Sequence, residues 1–292
     1  MLTIIIDLLS PLSHGAFDAG DIGNATPIRR LPIVSLPGRP EVPVLSGGAL
    51  RGRMRRIVMR HLFDACDLSH ATLPGREWDR LYAALANGGH LDGSEQTANP
   101  ATRRALRAAL PPLSLFGASL YTYMIAGRVS VGIAWPACQE TVDAGLVPMP
   151  AGLPLLPAED LVAETSSTRH IDRDEHDPAV SGVTPMPVTI ETLGTGTQLV
   201  SLVRYAPEAT DVERAIIPWA IERLDSLGAK SGAGLGSVHV RCEGGSPDAY
   251  SDWLRDQRDA AREALVELAG AAGAVSKKKE KKGRALAPEE AT

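Results

Sequence analysis

The amino-acid sequence predicts an α+β protein whose core elements follow the order strand, helix, strand, strand, helix, strand. Two observations carry this prediction. Apolar residues make up 44% of the 292 residues, enough for a sizeable core, and only 4% are aromatic, so the core is expected to be mainly aliphatic. Apolar runs of strand length also alternate with longer stretches of helical periodicity, and frequent glycines (28) and prolines (22) separate them as turns.

The first strand and the first helix are the most distinct elements of the N-terminal half. Residues 2–9 form a β-branched apolar run that ends at Ser10 and Pro11, as a buried strand does. Residues 46–65 are predicted to form a helix, because Ser46 suits the N-cap and apolar side chains recur at helical spacing. These side chains are Leu50, Met54, Ile57, Val58 and Leu62. Residues 127–135 then alternate as a strand.

The C-terminal half supplies the remaining core elements. Residues 188–193 and 198–205 are predicted as a hairpin-like pair of strands around a turn at residues 194–197. Residues 237–242 are predicted as the last strand. A helix is predicted at residues 212–227, where the apolar stripe consists of Ile216, Ala220, Leu224 and Leu227. This order suggests a ferredoxin-like or RRM-like βαββαβ sheet, a fold that hosts many unrelated functions.

The chain is predicted to contain one domain with two insertions. The domain covers residues 1–245, with a helical insertion at about 66–115 and a second insertion at 148–187, where proline, glycine and charged residues replace periodicity. A charged amphipathic helix is predicted within residues 246–275. The lysine-rich, low-complexity tail at residues 276–292 is predicted to be disordered.

Charge is distributed unevenly along the chain. The net charge is −5, yet residues 28–60 contain eight arginines and a single acid, Glu41. An acidic body with one basic stretch suits a protein that binds a polyanion in a fixed orientation.

The three cysteines form no CxxC pair, which indicates a reducing compartment and neither a disulfide framework nor a zinc ribbon. Because no apolar run is long enough for a bilayer and no signal-peptide pattern is present, we expect a cytoplasmic protein that binds no membrane.

The basic stretch continues into the predicted helix as PVLSGGALRGRMRR, residues 43–56. A glycine pair at a helix N-terminus allows a second backbone to approach closely, and the free N–H groups and the helix dipole there attract phosphate. Arg51 and Arg55 are i, i+4 neighbours, while Arg53 and Arg56 lie on an adjacent face. From spacing alone, a phosphate-binding helix and an ordinary solvated amphipathic helix are equally good interpretations.

Four further motifs accompany this helix in a fixed order. They are LSPLSHG (residues 9–15), LFG (115–117), RHIDR (169–173) followed by Glu191 and GTG (194–196), and the loop GAKSGAGLG (228–236). In kind and in order, these motifs and the helix resemble those of the RAMP superfamily, the crRNA-binding proteins of CRISPR effector complexes. The resemblance covers roughly residues 1–242.

The resemblance implies a backbone subunit, either of type IV or of a non-cleaving relative of the type III subunit. Such a subunit has no catalytic role and needs no cofactor or metal. Copies of it polymerise along guide crRNA as an open helical filament, and the guide pairs with a target nucleic acid. The other implied partners are a capping RAMP subunit and a large or small subunit. The implied RNA-binding residues are His14, Arg29, Arg30, Ser46, Gly47, Gly48, Arg51, Arg53, Arg55, Arg169, Lys230, Ser231 and Gly232.

Two of the motifs leave alternatives open. The loop at residues 228–236 is either a tight turn or a phosphate-binding loop, and a dinucleotide fingerprint is disfavoured because the loop leads into a strand. The acids and histidines at residues 169–177 suit a solvated loop better than a metal site. The resemblance implies a thumb-like hairpin there, which displaces guide nucleotides and has Ile171, Arg173 and Val180 as candidate tip residues.

An enzymatic alternative concerns the loop after the first strand. In target-cleaving type III relatives a catalytic aspartate lies in this loop, and its position here falls on Asn24 or Ala25, neither of which is a carboxylate. Asp18 or Asp21 is the fallback for a metal-dependent ribonuclease. A monomeric enzyme that processes the repeat RNA is a third interpretation, and it predicts a 1:1 complex with RNA.

Overall fold

A computed structural model of the chain describes residues 1–15, 25–73, 75–91, 99–121, 123–150, 152, 154–168 and 187–270. The strands are β1 (Leu2–Leu8), β2 (Ala25–Thr26), β3 (Arg30–Pro32), β4 (Glu41–Pro43), β5 (His90–Leu91), β6 (Ala118–Leu120), β7 (Tyr123–Ile125), β8 (Val129–Val131), β9 (Trp135–Pro136), β10 (Val162–Thr168), β11 (Pro187–Leu193), β12 (Gln198–Tyr205) and β13 (Val238–Glu243). The α-helices are α1 (Gly47–Ala65), α2 (Arg76–Leu85), α3 (Pro100–Ala109), α4 (Pro111–Phe116), α5 (Gln139–Asp143), α6 (Asp211–Ile221) and α7 (Asp248–Asp256). Residues 258–270 are also helical. Within the described ranges, no helix combines the length and the apolarity that a membrane span requires.

The central sheet is antiparallel, with the strand order β13–β1–β12–β8, and β9 also pairs with β12. In the middle of β1, Ile5 lies opposite Val200 of β12 and Arg241 of β13. Along the chain the core elements are β1, α1, β8, β12, α6 and β13, so strands and helices follow one another in the predicted order. The predicted α+β class is confirmed.

Strand β1 and helices α1 and α6 share one buried apolar cluster. Alternate side chains of β1 are buried, and of the predicted stripe of α1 Leu50, Met54, Val58 and Leu62 are buried with them, while Ile57 is only partly buried. Full burial of an aliphatic side chain of this size contributes about 1.5–3 kcal/mol. This packing fixes the N-terminus of α1 beside the end of β1, where the candidate site lies.

The segments predicted as insertions contribute strands to two further small sheets. The first contains α2, α3 and α4, and the adjoining strands β5, β6 and β7 pair with one another. The second contains β10, which pairs antiparallel with the following strand β11 from Val162–Leu193 to Thr168–Pro187, and β11 also pairs with β2.

Several predicted elements have different boundaries in the structure. The prediction that residues 188–193 and 198–205 form a hairpin is wrong, because β11 pairs with β10 over its whole length while β12 pairs with β1 and β8. Helix α6 ends at Ile221 and not at residue 227, because the backbone of Ser226 and Leu227 pairs with residues 236 and 237 instead. The C-terminal helix is interrupted at residue 257.

Candidate nucleic-acid interface

A groove of about 340 Å³ opens where the end of β1, the first turns of α1 and the loop after α6 meet. Four residues of the predicted RNA-binding set line it, namely His14, Gly48, Arg53 and Ser231. The other lining residues are Gly15, Ala49, Gly52, Arg56, Ser226, Leu227, Gly228 and Ala229. Three segments that are far apart in the sequence therefore share one surface.

His14 joins the end of β1 to the N-terminus of α1. Its Nε2 accepts a hydrogen bond from the backbone N–H of Ser46 at 3.2 Å. The neutral ring must then carry its proton on Nδ1. Burial, and then the positive charge of Arg29, lower the pKa of His14 below its ordinary value. The neutral form that this hydrogen bond requires is thus the form that the surroundings favour.

A pH dependence of stability follows from this contact. Because the pKa of His14 is lowered by folding, its contribution is fully present above about pH 6.5, the ordinary pKa, and is lost as the pH falls through the lowered pKa. We expect the wild-type protein to lose more unfolding free energy between pH 7.5 and pH 5 than His14→Gln, whose amide accepts the Ser46 N–H without titrating. Urea unfolding at each pH measures this, and an equal loss in both proteins would contradict the assignment.

The glycine pair at the start of α1 has two distinct roles. A Cβ at Gly47 would lie 2.1 Å from the carbonyl oxygen of Val131, so the absence of a side chain lets α1 pack directly on β8. A Cβ at Gly48 would meet no atom within 4 Å, and Gly48 lines the groove. The side chain of Ser46 caps the helix by accepting the N–H of Ala49 at 3.2 Å. Gly47 thus serves packing, while Gly48 leaves backbone open to a ligand.

Arg53 and Arg56 provide the positive charge of the groove wall. Arg53 Nε donates to the Ser226 carbonyl at 3.2 Å, and its Nη2 donates to the Ser226 hydroxyl at 2.7 Å. The same Nη2 lies 3.4 Å from Asp225 Oδ1. Arg56 follows on the next turn and has no acceptor within the described part of the chain. Both guanidinium groups therefore retain donors for a ligand.

The glycine-rich loop closes the other side of the groove. Gly228 and Gly236 have φ values of +77°, and a Cβ at either position would overlap a backbone carbonyl oxygen, that of Ser13 or of Leu227. Lys230 is exposed and also left-handed, with φ +61°. The backbone N–H groups of Lys230, Ser231 and Gly232 have no acceptor among the residues that the structure describes. The loop thus presents unpaired donors and one cation.

Arg51 and Arg55, which were expected to bind a phosphate backbone, donate hydrogen bonds within the fold. Arg51 Nη2 donates to the carbonyl of Phe116, away from the groove. Arg55 is buried, and its guanidinium donates to the carbonyls of Ala84, Leu85 and Gly117. Burial, and then the charge of Arg51, lower the pKa of Arg55 to about 10, so it stays charged at neutral pH. These two arginines hold the LFG turn against α1.

Arg30 also has a partner within the fold. Its Nη1 donates to the Glu191 carboxylate at 2.7 Å, and the same oxygen accepts the N–H of Ile28 at 2.9 Å. The hydrogen bond from Arg30 is the main reason that the pKa of Glu191 is lowered. Arg29 lies beside the groove, where its N–H donates to the carbonyl of His14 at 2.8 Å. Arg30 therefore ties the segment after β2 to β11, and its charge is compensated there.

The remaining predicted site residues lie outside the described part of the chain. These are the fallback carboxylates Asp18 and Asp21, the predicted RNA contact Arg169, and the thumb candidates Ile171, Arg173 and Val180. In the described residues, no group of three or more potential ligands could hold a metal ion.

Eight lining residues were not in the predicted set, and two of these, Arg56 and Ser226, bring polar side chains to the groove. Arg56 had a signal in the sequence, because it lies three residues after Arg53 in the same basic run. Ser226 had none, because a serine near the end of a predicted helix looks like any polar surface residue. Its role depends on the chain leaving the helix early, after Ile221.

Comparison with solved structures identifies the fold. A chain of a type IV-B CRISPR complex aligns with a TM-score of 0.59 and 19% identity, over 87% of this chain and 97% of that chain. A chain of the type III-B Cmr-β complex bound to cognate target RNA aligns with a TM-score of 0.42 and 14% identity, over 83% of this chain and 59% of that chain. A TM-score below 0.5 does not establish a shared fold. No protein-family model matches the sequence, and no curated protein is significantly similar to it.

The fold that these findings define is that of an α+β protein with a central antiparallel sheet. More particularly, its fold is similar to that of a chain in a type IV-B CRISPR complex.

Proposed function

We propose that this protein is a non-catalytic backbone subunit of a CRISPR effector ribonucleoprotein and that it holds guide crRNA in the groove. The observation that carries the proposal is the convergence of His14, the glycine turn of α1, Arg53 and the loop at residues 228–236 on one surface. The similarity in fold to a chain of a type IV-B CRISPR complex supports the placement in such an assembly.

The chemistry of the groove suits an RNA backbone better than it suits base edges. Arg53 and Arg56 in the lining supply positive charge, Lys230 lies between the lining residues Ala229 and Ser231, and the N–H groups of Gly48 and of residues 230–232 have no acceptor among the described residues. Cations and backbone amides bind phosphate oxygens without regard to sequence. The target is then recognised by base pairing with the guide.

We further propose that several copies bind one guide head to tail as a helical filament in the cytoplasm, together with a capping RAMP subunit and a large or small subunit. The antiparallel pair of β10 and β11 supports this, because these strands flank the part of the sequence in which the resemblance implies a thumb. Mass photometry with guides of increasing length tests it. Stoichiometry that rises with RNA length is expected, and a constant 1:1 complex would favour a monomeric processing enzyme.

The proposal of a non-catalytic role rests on the resemblance, which places the catalytic aspartate of target-cleaving type III proteins at Asn24 or Ala25 of this chain, neither of which is a carboxylate. The test is incubation of the assembled complex with matched target RNA and Mg²⁺. Intact target is expected. Cleavage at regular intervals that disappears in Asp21→Ala or Asp18→Ala would show a ribonuclease instead.

The RNA-binding role predicts a specific effect of removing the groove arginines. The double variant Arg53→Ala/Arg56→Ala is expected to bind guide RNA at least about tenfold more weakly, whatever the RNA sequence, because each lost phosphate contact removes counterion release. The slope of log K against log salt is expected to decrease by about two. Fluorescence anisotropy over a series of salt concentrations measures both quantities.

The matched control is Arg104→Ala/Arg255→Ala. It removes the same charge from two exposed positions that do not line the groove. The control is expected to retain the wild-type affinity and nearly the wild-type slope. Equal weakening in both double variants would show that the overall charge, and not the groove, determines binding.

A further inference from the structure

The loop after α6 both orients and partly neutralises the main cation of the groove. Ser226 contributes two acceptors to Arg53, its carbonyl at 3.2 Å from Nε and its hydroxyl at 2.7 Å from Nη2. The hydroxyl in turn donates to Asp225 Oδ1 at 2.9 Å. The carboxylate of Asp225 lies 3.4 Å from Arg53 Nη2. Arg53 and Asp225 are 172 residues apart in the sequence, so the arrangement exists only in the folded protein.

We propose that Ser226 is a positioning residue for Arg53 and that Asp225 weakens the phosphate contact that Arg53 makes. This inference rests on the proposed function of the groove and goes beyond it by assigning opposite effects to two neighbouring side chains. Together they set how tightly one subunit holds the guide.

The positioning role follows from the geometry of the guanidinium group. A free arginine side chain loses rotamer freedom when it binds phosphate, and this loss reduces affinity. Two bonds to Ser226 hold the planar fork of Arg53 in place before a ligand arrives. Its Nη1 group has no acceptor within the described ranges and remains available for phosphate.

The weakening role follows from the position of the carboxylate. The side chain of Asp225 is 83% exposed, and such surface ion pairs contribute little to stability. Its negative charge nevertheless lies next to the cation that a phosphate would approach. A phosphate bound to Arg53 is therefore repelled by the Asp225 carboxylate, unless that carboxylate moves away from the guanidinium group. An acid at this position makes the contact weaker and more easily reversed.

The test compares Ser226→Ala, Ser226→Thr and Asp225→Asn with Arg53→Ala. Affinity for one guide RNA is measured by anisotropy at several salt concentrations, and thermal unfolding checks that each variant is folded. Ser226→Ala is expected to bind roughly fivefold more weakly, from the loss of one hydrogen bond to a charged group. Its salt slope should stay near the wild-type value, because the charge of Arg53 remains. Ser226→Thr keeps the hydroxyl and is expected to restore affinity.

Asp225→Asn is expected to bind roughly threefold more tightly, because the amide oxygen still accepts from Ser226 while the negative charge is gone. The position is exposed, so this variant is expected to fold normally. Unchanged or weaker binding by Asp225→Asn would overturn the weakening role. Unchanged binding by Ser226→Ala, or a slope that falls by about one as in Arg53→Ala, would overturn the positioning role. A wild-type protein that binds no RNA would refute the proposed function itself and this inference with it.

Discussion

Replacement of Arg55 by Ala is expected to lower the free energy of unfolding by about 3–5 kcal/mol. The guanidinium donates to the carbonyls of Ala84, Leu85 and Gly117, and the residue is only 8% exposed. Without it, these carbonyls lose their donor, and each buried unpaired acceptor costs about 1–3 kcal/mol. The end of α2 and the LFG turn would both lose their hydrogen bonds to this side chain of α1.

Urea unfolding followed by circular dichroism measures this loss. Arg56→Ala is the matched control, because Arg56 lies on the same helix with no acceptor among the described residues, and it should change stability by less than about 0.5 kcal/mol. Arg55→Met retains most of the side-chain volume and separates packing from hydrogen bonding. If Arg55→Met were as stable as wild type, the hydrogen bonds would not be the source of the effect.

Arg55 and Arg56 are adjacent in the sequence, yet the sequence does not predict that one is buried and the other lines the groove. The helix itself was predictable, since Ser46 caps it and Leu50, Met54, Val58 and Leu62 are all buried as its periodicity indicates. The helical spacing also placed the arginines outside this stripe. Whether a side chain outside the stripe faces solvent depends on what else packs on the helix. Here α2 and Gly117 cover Arg55, and no local pattern determines how an insertion folds back.

The groove was predictable in its parts but not in its assembly. The order of the motifs indicated that His14, the glycine turn and the loop at residues 228–236 act together, and the structure places them on one surface. The contribution of Ser226 required α6 to end early, and it does so because backbone pairing between residues 226–227 and 236–237 replaces further helix. Such pairing between distant backbones leaves no trace in hydrophobic periodicity.

The second large loss of stability is expected from a substitution at Gly47, whereas the adjacent Gly48 should tolerate the same change. Gly47→Ala is expected to destabilise the protein by about 3 kcal/mol or more, because its Cβ would lie 2.1 Å from the Val131 carbonyl oxygen and 2.6 Å from that of Gly132. These are backbone atoms of β8 and its exit, which cannot move without disturbing the central sheet. Gly48→Ala should instead stabilise the helix by up to about 1 kcal/mol, because alanine is the better helix former.

The Gly48→Ala variant has different expected effects on stability and on RNA binding. At Gly48 an added methyl group meets no protein atom within 4 Å but lies at the groove. If the RNA backbone approaches α1 as closely as the bare glycine permits, Gly48→Ala will be at least as stable as wild type and yet bind guide RNA more weakly. Thermal unfolding and anisotropy on the same samples show both effects. A Gly48→Ala protein with unchanged affinity would mean that the RNA passes over this turn without touching it, and that the phosphate contacts come from Arg53, Arg56 and the loop at residues 228–236 alone.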